Sequence, residues 1–168
     1  VSLKVMPGEI CSVIGPNGAG KTTLFNLISG VLPMSSGQVV FDGVDTARLR
    51  PSRYASIGMG RTFQNLALFR HGTVVENLLI GRHVHFRSTV LESLVYWGRS
   101  RAEEIAARRK VEEIIEFLEI EELRDKPVAT LSYGQQKRVE LGRALACEPR
   151  LLLLDEIVAG MNREEKED

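Results

Sequence analysis

Residues 15–22 read Gly-Pro-Asn-Gly-Ala-Gly-Lys-Thr, a combination that binds phosphate. The spacing fits G-x-x-x-x-G-K-[ST], in which glycines let consecutive backbone N–H groups face phosphate oxygens. The first turn of a following helix adds positive potential at the same place. In such a loop Lys21 bridges the β- and γ-phosphates of a nucleotide, and the hydroxyl of Thr22 binds Mg²⁺. We therefore predict a nucleotide site made of consecutive residues: Gly15, Pro16, Asn17, Gly18, Ala19, Gly20, Lys21, Thr22 and Thr23.

Two acidic residues predict the metal-binding and catalytic half of the same site. Residues 151–154 are all leucine, which is typical of a buried strand, and Asp155 and Glu156 follow directly. An aliphatic strand that ends in two acidic residues is common, and on its own it usually has only a structural role. In a chain that also has a phosphate loop, it is expected to complete a nucleotide site. We expect Asp155 to bind Mg²⁺ through water. Glu156 is then the general base, a role that contributes about 10²–10⁴ in rate.

Residues 131–136 read Leu-Ser-Tyr-Gly-Gln-Gln and have two interpretations. Ser132 and Gln135 have the spacing of a capping box, which predicts the start of a helix. A capped helix start beside a glycine is also able to bind a γ-phosphate, here through Ser132, Gly134 and Gln135. The two interpretations are compatible, because both use the same helix start.

Hydrophobic patterns predict the elements around the phosphate loop. Residues 9–14 are apolar-rich and residues 1–5 alternate between apolar and polar, so both segments are predicted to be strands. Residues 24–31 have apolar positions at helical spacing, and Gly30 is placed to end that helix. Residues 37–42 are a further strand candidate that runs into an Asp-Gly turn.

The middle of the chain is predicted to be helical. Thr73 with Glu76, and Ser100 with Glu103, have capping-box spacing and predict two helix starts. The second of these helices has one apolar face, formed by Val111, Ile114, Ile115 and Leu118.

The order of these elements predicts an α/β fold: a P-loop NTPase core with a mostly parallel sheet, plus a helical subdomain that presents residues 131–136. We expect a single domain over residues 1–168. Its core lobe would comprise residues 1–71 and 147–168, and its helical subdomain residues 72–146.

Composition excludes several classes of function. The chain has 168 residues, of which 43% are hydrophobic, enough for one domain with a core. Lys plus Arg (22) equals Asp plus Glu (22), so there is no basic field to hold nucleic acid. No apolar run approaches the roughly 20 residues of a membrane-spanning helix. Two cysteines without a C-x-x-C pair favour a reducing, cytosolic setting. His83 and His85 are expected on one side of a strand, as surface histidines and not as metal ligands.

The sequence resembles the ATP-binding-cassette ATPases, whose signature L-S-x-G-Q is matched at residues 131–135, and the resemblance covers the whole chain. It implies that Gln64 is the glutamine that senses Mg²⁺ and the attacking water, and that residues 159–162 face the opposite site of a dimer. Ile157 stands where the family usually has proline. The resemblance further implies ATP and Mg²⁺ as ligands and a second ATPase subunit, identical or different. Transmembrane permease subunits are implied too, with a location in the cytoplasm on the inner face of the cell membrane.

Within this family the sequence looks most like the ATP-binding subunits of branched-chain amino-acid importers, because of residues 60–65, 73–77 and 159–162 and a helical insert at 82–102. Alternatives are the related ATPases of urea or amide import and of lipopolysaccharide export, and a soluble cassette ATPase that acts on DNA or ribosomes. A nucleotide-binding remnant without turnover is a further alternative. The apolar residues expected to contact a membrane subunit, or else to pack in the core, are Leu66, Leu68 and Phe69.

Two parts that the family possesses are not found in this sequence. The aromatic residue that stacks on adenine would precede Val1, and the switch histidine would follow Asp168. We therefore expect the chain to be a fragment that binds ATP weakly and hydrolyses it poorly or not at all.

Overall fold

The computed structural model describes residues 1–62, 68–85 and 99–155. The chain divides into two compact units, Val1–Leu49 and Arg50–Asp168. Both contain helices and short strands, as expected for an α/β chain. Within the described ranges, no helix combines the length and the apolar character required to cross a membrane.

Helix α1 of the first unit spans Lys21–Ile28 and ends as predicted at Gly30. Gly30 has a φ of 68°, which a side chain would disfavour. The N–H of Val31 donates to the carbonyl of Asn26 at 2.9 Å, and the N–H of Gly30 donates to that of Leu27 at 3.2 Å. These two bonds form a Schellman motif, which satisfies carbonyls that the helix end leaves exposed.

Strands β1 (Val40–Phe41) and β2 (Val44–Asp45) form an antiparallel hairpin in which Phe41 pairs with Val44. The turn residues Asp42 and Gly43 have φ values of 50° and 77°. Two positive φ angles in a two-residue loop are characteristic of the type I′ turn, whose twist matches that of the strands. The predicted turn is therefore present, but the strand before it is shorter than the predicted 37–42.

The strands predicted at 1–5 and 9–14 are wrong for this structure, which assigns no strand there. Ile10 and Ile14 are 95% and 93% exposed, and the N–H of Glu9 bonds to the carbonyl of Met6 in a turn. A strand forms only where its backbone groups meet a partner strand. Among residues 1–49, β1 and β2 pair with each other and neither pairs with residues 1–14.

The second unit contains a parallel pair, β3 (Met59–Arg61) and β4 (Leu151–Leu153). Met59, Gly60 and Arg61 pair with Leu151, Leu152 and Leu153 respectively. The predicted strand at 151–154 is confirmed for its first three residues, and Leu154 lies beyond it with 44% exposure. The pair brings two distant parts of the chain together at the point where Asp155 begins.

Three helices form the hydrophobic core of this unit: α2 (Val74–Gly81), α3 (Arg99–Phe117) and α4 (Tyr133–Ala146). Helix α2 begins as predicted, because Thr73 and Glu76 form a reciprocal capping box. The core consists of buried apolar side chains from the helices and their connections: Leu68, Val74, Leu78, Val111, Ile114, Ile115, Ile120, Leu123, Val128, Leu131, Val139 and Ala146.

Helix α3 confirms one prediction and overturns another. Val111, Ile114 and Ile115 are buried in the core, as their spacing predicted. Ser100, however, is the second residue of the helix and not its cap. The Ser-x-x-Glu spacing also occurs inside helices, and only a non-helical backbone at the serine makes it a cap.

Helices α2 and α4 approach each other closely at Gly81. A Cβ atom on Gly81 would lie 2.3 Å from the carbonyl oxygen of Arg143 and 2.9 Å from the Cβ of Ala146. Only glycine fits this contact without displacing backbone.

A charged cluster continues this contact beyond the two helix ends. Arg82 donates from Nη1 to the carbonyl of Ala146 at 3.1 Å and to Oε2 of Glu148 at 2.8 Å. The hydrogen bond from Arg82 is the main reason why the pKa of Glu148 is lowered, although burial opposes the shift. The Nε2 atom of His85 lies 3.0 Å from the carbonyl of Cys147. His83 and His85 belong to a short 3-10 helix, Arg82–His85, so the strand predicted for them is wrong.

Candidate functional site

The phosphate loop is held open by two glycines with left-handed backbones. Gly18 has a φ of 81° and Gly20 a φ of 87°, and a Cβ on either would meet nothing within 4 Å. The requirement for glycine at both positions is therefore conformational and not steric. Gly20 is the N-cap residue of α1 and has no side chain with which to cap that helix. The N-cap position thus supplies no side-chain acceptor to the first-turn N–H groups, a condition that favours anion binding at a helix start.

The side chain of Lys21 folds over this loop. Its Nζ donates to the carbonyl of Gly15 at 2.7 Å and to that of Pro16 at 2.9 Å. An ammonium group has three N–H donors, so a third can donate to a phosphate oxygen. Lys21 and Thr22 are half-buried, whereas Thr23 is exposed. The loop therefore brings its lysine to the helix start, and nucleotide binding by these residues remains a prediction.

Asp155 lies just beyond β4 and is 8% exposed. Its backbone N–H donates to the hydroxyl of Thr62 at 3.3 Å. Its Oδ2 atom is buried and has no hydrogen-bond partner among the described residues. A buried carboxylate oxygen without a partner is unfavourable unless a ligand satisfies it. Oxygen is the ligand atom that Mg²⁺ prefers, so Asp155 fits the predicted role at a Mg²⁺ site.

Arg61 provides positive charge near this carboxylate. Burial lowers the pKa of the Arg61 guanidinium, and the negative charge of Asp155 raises it. An arginine remains protonated at physiological pH even after such a shift. The Asp155 carboxylate thus has a cationic neighbour. Nothing in the spacing of Arg61 and Asp155 along the chain pointed to this pair.

The segment 131–136 forms the predicted helix start. The Oγ of Ser132 accepts the N–H of Gln135 at 3.3 Å, and the Oε1 of Gln135 accepts the N–H of Ser132 at 3.0 Å. Leu131 is 6% exposed and packs in the core, and its carbonyl accepts a bond from Gln136 at 2.8 Å. The capping interpretation is confirmed. Phosphate binding by Ser132, Gly134 and Gln135 remains a prediction.

Helix α4 contains a buried ion pair that was not predicted from the sequence. The side chains of Lys137 and Glu140 are 3% and 2% exposed, and Nζ lies 3.1 Å from Oε2. The ammonium also lies 5.8 Å from the centre of the Tyr133 ring. The i, i+3 spacing was a signal for the pair. Its burial depends on the packing of α4 in the core, which spacing alone does not predict.

Several predicted functional residues lie outside the described ranges. Gln64 and Leu66 fall in 63–67, while Glu156, Ile157 and the predicted dimer-facing segment 159–162 fall in 156–168.

Leu68 and Phe69, two of the apolar residues predicted to contact a membrane subunit or to pack in the core, lie in the described ranges and differ in burial. Leu68 is 8% exposed and belongs to the core, so the packing interpretation holds for it. Phe69 is 53% exposed. The fully buried Asn77 holds the backbone of Phe69, because its Oδ1 accepts that N–H at 2.8 Å and its Nδ2 donates to that carbonyl at 3.0 Å. Asn77 was also missed, since an asparagine within a helical pattern carries no distinctive signal.

Comparison with known proteins identifies the family. The family model described as ABC transporter matches residues 1–159, so the chain belongs to the ATP-binding-cassette transporter family. The P-loop α/β fold class predicted from the sequence is thereby confirmed.

Two curated relatives of this chain are named as ATP-binding proteins of branched-chain amino acid transport. The high-affinity branched-chain amino acid transport ATP-binding protein BraF of Pseudomonas aeruginosa is 39% identical over 168 residues, which is all of this chain and 66% of BraF. The corresponding protein LivG of Escherichia coli is 34% identical over the same 168 residues and is also covered to 66%. A dimeric post-hydrolysis ATP-binding cassette bound to ADP and Pi is similar with a TM-score of 0.75 at 28% identity, over 93% of this chain and 64% of that chain.

Proposed function

We propose that this chain binds and hydrolyses ATP as the nucleotide-binding part of an ABC transporter. The observation that carries the proposal is the phosphate loop: an uncapped helix start, two left-handed glycines, and Lys21 bonded to the carbonyls of Gly15 and Pro16 at 2.7 and 2.9 Å. Fixed N–H groups and a lysine at one helix start are what a triphosphate requires.

The catalytic roles follow from the chemistry of each side chain. Lys21 would donate to the β- and γ-phosphates, and the hydroxyl of Thr22, the carboxylate of Asp155 and the side chain of Gln64 would hold Mg²⁺. Mg²⁺, when bound, would neutralise phosphate charge. Glu156 would accept the proton of the attacking water, and Gln64 would orient that water. The Oδ2 of Asp155 is buried and has no hydrogen-bond partner among the described residues, which supports its assignment.

The proposed assembly is a dimer of ATPase subunits, identical or different, with transmembrane permease subunits. Ser132, Gly134 and Gln135 of one subunit then complete the phosphate site of the other. This requires a rigid helix start, and the reciprocal capping box at Ser132 supplies one. The dimeric cassette that this chain resembles supports the arrangement. The subunit would lie on the cytoplasmic face of the cell membrane and would not bind nucleic acid.

The proposed cargo is the branched-chain amino acids, supported by the names of BraF and LivG. The ATPase does not touch the cargo, so uptake must be measured in cells. Deletion of the gene is expected to reduce uptake of labelled leucine and to leave urea uptake unchanged. The opposite pattern would assign the chain to a urea or amide importer.

Binding of a fluorescent ATP analogue and release of phosphate test the ATPase proposal. Lys21→Ala is expected to weaken binding by at least tenfold, because one charge-assisted contact contributes about 1.5–3 kcal/mol. Lys4→Ala is the matched control, since Lys4 is an exposed lysine of the same unit. If both variants bound the analogue like the wild type, the phosphate-loop assignment would fail.

A further inference from the structure

Thr62 connects the ends of the parallel strands β3 and β4. Its backbone N–H donates to the carbonyl of Leu153 at 3.0 Å, and its Oγ1 accepts the N–H of Asp155 at 3.3 Å. The residue is only 1% exposed. Thr62 is thus bonded to the carbonyl of Leu153, the last residue of β4, and to the backbone N–H of Asp155, two residues further along the chain.

The side-chain bond begins where strand pairing stops. Arg61 and Leu153 are the last paired residues of β3 and β4, and Thr62 and Asp155 lie beyond the pair. Buried backbone N–H groups are nearly always hydrogen-bonded. Removal of the Thr62 hydroxyl therefore forces the backbone at Asp155 to move or leaves its N–H without this acceptor.

The position of this backbone decides where the carboxylate lies. Asp155 has a short side chain, so its carboxylate moves with its Cα. Its Oδ2 is buried without a partner among the described residues, while Arg61 supplies positive charge nearby. Groups that hold a metal ligand in place affect metal affinity although they do not touch the metal.

We infer that Thr62 is a positioning residue for the Mg²⁺ site: its hydroxyl holds the backbone of Asp155 and thereby directs the Asp155 carboxylate. The inference rests on the proposed function, because it takes Mg²⁺ with ATP to be the ligand. Thr62 also stands two positions before Gln64 in the sequence, so one residue anchors the end of β4 and precedes the predicted water-orienting glutamine.

Isosteric substitutions separate this role from simple packing. Thr62→Val keeps the shape and removes the acceptor, whereas Thr62→Ser keeps the acceptor and removes a methyl group. If the hydroxyl positions Asp155, valine is harmful and serine is tolerated. If Thr62 only fills space, valine is tolerated at least as well as serine.

Two measurements on the full chain test the inference. The first is hydrogen exchange at the Asp155 amide by NMR, and the second is the Mg²⁺ concentration that gives half-maximal binding of a fluorescent, non-hydrolysable ATP analogue. Thr62→Val is expected to speed exchange at Asp155 and to raise the required Mg²⁺ concentration, each by about tenfold. Thr62→Ser should stay close to the wild type in both. Binding of the analogue in the presence of EDTA should be the same in all three proteins.

Thr46→Val is the matched control, because Thr46 is also fully buried and its hydroxyl donates to the carbonyl of Val39 at 3.1 Å. It should lower stability and leave the Mg²⁺ requirement unchanged. Thr62→Ala supplies a second hydroxyl-free variant if Thr62→Val does not fold. If Thr62→Val required no more Mg²⁺ than the wild type, or if Thr62→Ser were impaired as much as Thr62→Val, the inference would be overturned and the proposed function would stand. If the wild-type protein itself showed no Mg²⁺-dependent binding, the proposed function would be overturned, and the inference with it.

Discussion

Ser132 is expected to serve both as a helix cap and as a ligand for the γ-phosphate of the partner subunit, and substitutions can separate the two. Ser132→Ala removes both functions. Ser132→Asp keeps the cap, because aspartate is as good an N-cap residue as serine, but it introduces a negative charge. Ser132→Asn keeps the cap without the charge and is the matched control.

The expected stabilities follow from the geometry of the cap. Loss of a serine cap costs about 0.5–2 kcal/mol. The bond from the Gln135 N–H to the Ser132 Oγ is long at 3.3 Å, and the reciprocal bond to the Ser132 N–H at 3.0 Å survives in every variant. We therefore expect Ser132→Ala to lower the free energy of unfolding by only about 0.5–1 kcal/mol. Ser132→Asp should match or exceed the wild type, since a carboxylate at a helix start gains about 0.3–1 kcal/mol.

For the ATP-bound dimer we expect the opposite effect of Ser132→Asp: the variant that stabilises the subunit should weaken dimerisation. Two like charges about 4 Å apart repel by about 1 kcal/mol in bulk water and by about 4 kcal/mol near a protein surface. Ser132→Asp should therefore weaken ATP-dependent dimerisation by about five- to a thousandfold, although the folded subunit is at least as stable. Ser132→Asn should weaken dimerisation far less.

Urea unfolding measures the free energy of unfolding of each variant. Light scattering with a slowly hydrolysed ATP analogue and Mg²⁺ measures ATP-dependent dimerisation. If Ser132→Asp dimerised like the wild type, no phosphate would lie near Ser132 and the composite site would be refuted. If Ser132→Ala lost more than about 2 kcal/mol, the serine would do more than cap the helix.

Other predictions concern the structure around the site. Gly81→Ala should lower the free energy of unfolding by about 1–3 kcal/mol, because the new Cβ would lie 2.3 Å from a backbone carbonyl. Gly142→Ala is the control and should cost less, since the three atoms nearest to its Cβ would be leucine methyl groups at 3.0–3.3 Å. The pKa of Glu148 is lowered by its arginine partner, so its contribution is present at neutral pH and lost in acid. The stability difference between wild type and Glu148→Gln should therefore shrink as the pH falls below about 4.3. Burial raises the pKa of the Cys147 thiol, so a thiol reagent should modify exposed Cys11 first, as mass spectrometry would detect.

Features that depend on a few neighbouring residues could be predicted from the sequence. The capping boxes at Thr73 and Ser132, the turn at 42–43 and the end of α1 at Gly30 are all present as expected. Each arises from side chains and backbone angles within about five positions, which the sequence displays directly. The Gly18 and Gly20 backbones belong to the same group.

Features that need a distant partner were decided only by the tertiary structure. Residues 9–14 have the composition of a strand, yet they form none, since no neighbouring strand pairs with them within residues 1–49. The Thr62–Asp155 bond joins residues 93 positions apart, and the Arg82–Ala146 bond joins residues 64 positions apart. Asp155 itself was predicted to bind Mg²⁺, from the leucines before it together with the phosphate loop earlier in the chain. The threonine that holds its backbone was not, because a hydroxyl acquires a partner of this kind only when packing brings two strand ends within hydrogen-bonding distance.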